Sequence, residues 1–477
     1  MTLKITSRSA IAALLSTTVM TTAWADDNDA YLEQAGNNNM AYIDQSGDNN
    51  DVGFDNGLTG GGNIKGAVRQ EQIFSGAGND LDIFQSGDGN KVGTVQAPGT
   101  SASVLQRSQN GPSNTLLVTQ SSDDNTVERI SQIARIPGTA ANTVTITQEV
   151  GDDNLIGFVS QDRKGGTGHT ATLTQTGADN IILRTRQQNN NSILVATQEG
   201  TGNLINEIRQ QGSGFNSNDG NHEAYVVQDG DNNGTSDFSA GSFAAGTGAA
   251  WSKVEQYGND NDVDYLAVGN ANLFGFYQDG TGNSVGMVTI DGDGNETAGY
   301  QEGTDNLIVI APIVGDDNDI GVIQDGTMNM ADIALTNGSS RNAIGVDQFG
   351  TNAADVDVDG NDNFADIRQS VNNSGSFGVV LNITGDFNGT GPWVTGSDAE
   401  SIGLTGGVII QDGVDNLFDA VIEGDNNLFA SDQFGNDNTI DAFVDGNNNQ
   451  FAVAQMGNMN NAVFSQIGAG NNVGISQ

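Results

Sequence analysis

Gln433-Phe434-Gly435-Asn436-Asp437-Asn438-Thr439-Ile440-Asp441-Ala442-Phe443 is one unit of a repeat that runs without a break from Gln411 to Gln477. Its glycine recurs every eleven residues, at Gly413, Gly424, Gly435, Gly446, Gly457 and Gly468. An asparagine follows each glycine by three positions, at Asn416, Asn427, Asn438, Asn449, Asn460 and Asn471. Two positions before the glycines stand Gln411, Ile422, Gln433, Val444, Gln455 and Gln466, with Gln477 one step further on. A fixed period of this size marks one supersecondary unit stacked on copies of itself.

The residues between asparagine and glutamine say what that unit is. In Asn449-Gln450-Phe451-Ala452-Val453-Ala454-Gln455, alternate positions set Asn449, Phe451, Val453 and Gln455 on one side. A period of two means a β-strand with one buried face. The remaining Gln-x-Gly-x-x-Asn is a tight turn, in which glycine supplies a positive φ and the Asn and Asp side chains bond to turn backbone. Each eleven residues is therefore one strand and one turn.

Upstream, glutamines alternate with other residues at this position, through Gln278, Ile290, Gln301, Ile313, Gln324, Thr336 and Gln348. Two units thus make one coil. The predicted fold is all-β, an elongated two-arm parallel β-solenoid with about 22 residues per coil. Gln278, Gln301, Gln324, Gln348, Gln411, Gln433, Gln455 and Gln477, with the six asparagines above, are read as inward amide ladders. The arms of a coil should run in opposite directions and set large residues against small ones, such as Phe451 against Ala442.

Residues 1–25 read as a secretory signal peptide: Lys4 and Arg8, an apolar run from Ala10 to Leu15, and Ala23-Trp24-Ala25 as the cleavage signal. With 60 acidic and 16 basic residues the chain has a formal charge of −44, which argues against nucleic acid or an anionic membrane as a partner. Apolar content of 36% and aromatic content of 6% would by themselves indicate disorder. Periodicity overrules composition here, because stacked coils share one narrow core. No cysteine is present, so cohesion must come from backbone ladders, stacked amides and the apolar stripe.

Residues 26–477 are expected to form a single solenoid with loop excursions near 55–72, 234–250 and 374–407 that bulge from an edge of the stack. The repeat begins at Gln34-Ala35-Gly36 and Gln45-Ser46-Gly47, soon after the cleavage signal, and Gln477 ends a complete strand. Uncapped ends of this kind would pair head to tail.

Gln278-Asp279-Gly280-Thr281-Gly282-Asn283 and Gln198-Glu199-Gly200-Thr201-Gly202-Asn203, with a doubled period near twenty-two, resemble the curlin repeat of bacterial curli subunits. That resemblance implies an extracellular functional amyloid of a Gram-negative-type bacterium. Its subunits would polymerise into a fimbrium-like fibre for biofilm matrix, cell aggregation and surface adhesion. Partners implied in the same way are the chain itself, a nucleator and an outer-membrane export pore.

The alternative is a monomeric secreted acidic solenoid adhesin that binds calcium, glycan or ice. Acidic turns such as Asp152-Asp153 and Asp316-Asp317 carry oxygen ligands for calcium, and Thr143, Thr145 and Thr147 form an outward row. Enzyme chemistry, cofactors and catalytic or metal sites are not expected. His169 and His222 are the only histidines, and His169 sits where the repeat calls for asparagine. No segment has the length to span a bilayer.

Overall fold

The computed structural model describes residues 2–7, 27–54, 59–60, 63–64, 66–73, 78–95, 102–109, 113–135, 141–165, 167–213, 220–370 and 378–477. Strands hold 58% of the chain and helices 2%, and the long sheets are parallel, as a β-solenoid requires. The expected leader, 1–25, lies outside the described residues except for Thr2–Ser7, a strand paired in parallel with Asp29–Ala35. The expected single domain separates by contacts into two compact units, the first ending at Asn261 and the second holding 236–251 and 262–477.

In the first unit, one sheet stacks Asp29–Ala35, Ala67–Gln72, Ala102–Ser108, Thr126–Ala134, Leu155–Arg163, Ile181–Asn189, Glu207–Gly212 and Lys253–Asn259 in parallel. A second sheet stacks Met40–Ser46, Asp80–Ser86, Thr115–Gln120, Thr143–Glu149, Thr170–Thr176, Ile193–Glu199 and Glu223–Asp229. Ala67–Gln72 falls inside the stretch expected to be an excursion, yet it pairs in register, Gln34 to Gln70 to Gln106.

The second unit repeats the plan. One sheet runs through Leu273–Thr281, Glu296–Thr304, Asp319–Thr327, Ala343–Gly350, Phe364–Ser370, Val408–Asp412, Leu428–Phe434, Gln450–Met456 and Asn472–Ser476. The other begins with Asp262–Val268, Ser284–Asp291, Leu307–Val314 and Met330–Thr336, and includes Thr439–Asp445 on Asn461–Ile467.

Alternation explains the core. Val144 and Ile146 are fully buried while Thr143, Thr145 and Thr147 between them are partly exposed. Each fully buried aliphatic side chain contributes about 1.5–3 kcal/mol, and parallel register stacks like on like, as with Phe429 on Phe451, centroids 6.2 Å apart. The expected rule of large against small does not hold throughout. Phe451 also meets Phe464 edge to face, with centroids at 5.2 Å. Two rings in that orientation gain from their quadrupoles where the core is wide enough to hold both.

Parts of the two later excursions do not bulge from an edge; around 239–244 and 394–399 they lie on the outer face of the second unit. Phe243 N and Ala244 N, opening the short helix Phe243–Gly246, donate to the Asp319 carboxylate at 2.6 and 2.9 Å. The strap has room because the outward column beneath it is Gly275, Ala298, Gly321 and Gly345, all in register. A side chain at Gly321 or Gly345 would overlap Phe243. Downstream, Val394 N donates to Gln450 Oε1 (3.0 Å) and Ala399 N, in the helix Asp398–Ile402, to Asn472 Oδ1 (2.9 Å). Within that excursion Ile383–Thr384 still pairs with Val358–Asp359, so the repeat passes through it.

Candidate functional site: the amide columns

Each turn glycine puts a glutamine and an asparagine at fixed places on the inner wall. Gly413, Gly424, Gly435, Gly446, Gly457 and Gly468 have φ of +132°, +94°, +118°, +104°, +119° and +100°. At Gly413, Gly435 and Gly446 a Cβ would overlap the carbonyl of the glycine one rung on. The position before each asparagine is also left-handed, at Asp415, Asn426, Asp437, Asn448 and Met459. Asn and Asp tolerate that conformation by bonding locally.

In the second unit the glutamines form one continuous chain of side-chain bonds. Gln278 Nε2 donates to Gln301 Oε1, and the same bond runs from Gln301 to Gln324, Gln348, Gln369, Gln411, Gln433, Gln455 and Gln477, at 2.8–3.2 Å. Along most of the column the second hydrogen of Nε2 crosses the core. Gln301 gives it to Ser284 O (3.0 Å), Gln324 to Leu307 O (2.8 Å) and Gln433 to Leu417 O (2.8 Å). A primary amide has two donors, and one column consumes both, so the bonds hold rung to rung and arm to arm.

The asparagines work through oxygen. Asn416 Oδ1 accepts Asn438 N, and Asn438 Oδ1 accepts Asn460 N, both at 3.1 Å. Asn427 Oδ1 accepts Asn449 N, and Asn449 Oδ1 accepts Asn471 N, both at 2.9 Å. Asn416 and Asn449 also reach the next turn through Nδ2, to Gly435 O (2.8 Å) and Gly468 O (2.9 Å). Asn416, Asn427, Asn438 and Asn449 are buried; Asn460 and Asn471 are half-buried. These side chains close backbone donors that the turns would otherwise leave unmade.

The first unit has a glutamine column on each arm. Gln34, Gln70, Gln106, Gln132, Gln161, Gln187, Gln210 and Gln256 are linked in that order. Gln45, Gln85, Gln120, Gln148, Gln175, Gln198 and Gln228 form the other series. His169 and His222 take asparagine positions on the inner wall. Ser192 N donates to His169 Nδ1 (3.2 Å) and Asn261 N to His222 Nδ1 (3.4 Å). Burial pushes His169 down to about 3 and His222 to about 4. Both stay neutral at pH 7 and accept a hydrogen bond as asparagine would.

A third column escapes the sequence reading. The Asp or Asn directly after the turn glycine, or after Ser122 in its place, accepts the backbone N–H of the rung before it. Asp88 Oδ1 takes Asp48 N (2.7 Å), Asp123 Oδ1 takes Asp88 N (2.8 Å) and Asp152 Oδ1 takes Asp123 N (3.0 Å). Asp293 N to Asp316 Oδ1 (2.8 Å) is the same bond in the second unit. Asp152 and Asp316, read as calcium ligands or plain solvated charge, are thus turn acceptors. Their neighbours Asp153 and Asp317 fill the left-handed position, φ +61° and +57°. Among the described residues no three His, Cys, Asp or Glu side chains group as a metal centre would need, and no helix is long and apolar enough to cross a membrane.

Register-stacked strands with buried Gln and Asn columns define a parallel β-solenoid held by its own amides. Residues 25–53 match the family model of the curlin associated repeat, so the curlin-repeat resemblance holds where the pattern first appears. That repeat is a structural one rather than an enzyme motif. No curated protein matches the chain.

Proposed function

We propose that the chain is a secreted, non-enzymatic subunit that assembles head to tail into extracellular curli-like fibres, serving biofilm matrix, cell aggregation and surface adhesion. The observation that carries this reading is the sameness of the rungs. Each glutamine of the second-unit column, from Gln301 to Gln455, accepts a bond from the rung before it and donates the same bond to the rung after it. A rung of another copy presents the same backbone edge and the same amides, so stacking between copies repeats the bonds made within one.

The curlin repeat at 25–53 supports the same reading, and with it export through an outer-membrane pore, a nucleator as partner and removal of residues 1–25 as a leader. The columns Gln278 to Gln477 and Asn416 to Asn471, with glycines 413 to 468, are the parts on which assembly depends. Electron microscopy and fibre diffraction on the purified chain test it. Unbranched fibres with a meridional reflection at about 4.7–4.8 Å are expected. A chain that stays monomeric at high concentration, with no thioflavin-positive species, would overturn the proposal.

A further inference from the structure

Charge divides unevenly between the units. Fourteen of the 16 Lys and Arg residues fall in the first unit, and the second holds only Arg341 and Arg368. Both of those are already paired, Arg341 with Asp362 at 2.7 Å and Arg368 with Asp366 at 2.5 Å.

On the outer face of the first unit, register gathers arginines into columns. Arg129, Phe158 and Arg184 follow one another on three rungs; Arg186 stands two residues from Arg184 on the same strand, in the adjacent column, and Arg209 follows Arg186 on the next rung. Aromatic rings hold two of them in place. The Arg129 guanidinium lies 3.8 Å from the centroid of Phe158, and that of Arg209 lies 5.0 Å from Tyr257. Arg184 touches a carboxylate only at the long distance of 3.5 Å, to Glu207, and its side chain is 56% exposed. Arg186 pairs with no carboxylate among the described residues, and Arg209 donates to Gln211 (2.8 Å). A guanidinium stacked on a ring loses little further entropy on binding, and the donors of Arg209 not given to Gln211 are left for a carboxylate.

The outer face of the second unit carries the complement. Asp279, Glu302 and Asp325 stand in register on three consecutive rungs, and all three are exposed. Glu302 accepts a bond from Tyr300 (3.2 Å). Three stacked carboxylates roughly 4.8 Å apart repel one another until a cation meets them.

We propose that the arginine columns of the first unit, centred on Arg186 and Arg209, dock on the Asp279, Glu302 and Asp325 column of a second copy of this chain and join the copies side by side. Both rows are spaced by the rung of a parallel sheet, so the register that makes one pair makes the next. A flexible polyanion lacks that match. Arg–carboxylate pairs formed in this way lose strength in salt.

The contact would join single molecules or fibres alike; bundling of fibres rests on the assembly proposed above. The test is a charge swap in the full chain. A variant with Arg186→Glu and Arg209→Glu, and another with Asp279→Lys, Glu302→Lys and Asp325→Lys, should each keep strand circular dichroism and the rung reflection yet remain as single filaments. Side-by-side association should fall at least about tenfold. Mixing the two variants should restore bundles, and about 0.5 M salt should disperse those of the unmodified chain.

Unchanged bundling in either single variant, or none in the mixture, overturns the contact. So does an arginine variant that loses binding to alginate while bundling normally. If the unmodified chain forms no fibres, sedimentation of folded monomers against salt still reads the contact, and only the assembly proposal falls.

Discussion

Gln433 Nε2 lies 3.0 Å from Gln455 Oε1, and its other hydrogen goes to Leu417 O at 2.8 Å. Its own Oε1 accepts Gln411 Nε2 at 2.8 Å. One side chain thus bonds the rung before it, the rung after it and the opposite arm, in full burial.

Replacing it should be costly out of proportion to its size. Gln433→Leu fills the space but strands the Gln411 donor, the Gln455 acceptor and Leu417 O. Each orphaned buried group costs roughly 1–3 kcal/mol, so a loss of several kcal/mol is expected in urea denaturation. Gln477→Leu should cost about 1 kcal/mol or less, since Gln477 is exposed.

Gly435 and Gly468 separate strain from collision. Both have positive φ, but only at Gly435 does backbone, the Gly457 carbonyl, fill the place of a Cβ. Gly435→Ala should destabilise by about 3 kcal/mol or more and Gly468→Ala by roughly 1–2 kcal/mol. Thermal midpoints of the two variants check the order.

Acid should act oppositely on two stretches of the chain, one around the buried histidines and one around Asp332, Asp347 and Asp355. His169 and His222 have folded values of about 3 and 4 against an ordinary 6.5, because burial penalises the cation. The unfolded chain therefore takes up protons first, and stability present above pH 6.5 is lost as pH falls toward those values. At pH 5 this amounts to about 2 kcal/mol per histidine. In the second unit, burial first and then Asp357 raise Asp332 and Asp355 above their ordinary value. Burial followed by Asp366 raises Asp347. A raised carboxylate favours folding when protonated, so its contribution grows as pH falls through the raised value. Hydrogen exchange at pH 7 and pH 5 should show protection falling around 165–195 and holding or rising around 330–358. His169→Asn with His222→Asn should abolish the first change.

The strap over Gly321 and Gly345 can be released without touching the columns. Gly345→Val places atoms where the Phe243 ring lies, and Asp319→Ala removes the acceptor for Phe243 N and Ala244 N. Limited proteolysis should then cut within 238–248 at least about tenfold faster than in the unmodified chain, with Gln324 to Gln348 still protected.

Much of this was legible in the sequence because a column repeats at one place in every unit. Gln411, Gln433 and Gln455 announce themselves by spacing, and alternation in Asn449 to Gln455 gives the strand and its inner face. Asp123 and Asp152 were harder to read, because an acidic turn residue has the same composition whether it faces water or accepts a neighbouring rung's N–H. The signal was present all the same, since Asp or Asn directly follows the turn glycine again and again, as at Asp88, Asp231 and Asp425. The straps were illegible for another reason. Gly321, Gly345 and Gly474 look like weak points in strands, and only a segment far away in sequence explains why side chains are missing there.

The direction of the glutamine bonds has a consequence for growth. Every Nε2 faces the higher-numbered rung and every Oε1 the lower, with no reversal from Gln278 to Gln477. Such a lattice is polar. In the fibre proposed above, a newcomer turned end for end would set donor against donor, so orientation would be checked at each addition, and the two tips would meet different chemistry and lengthen at different speeds.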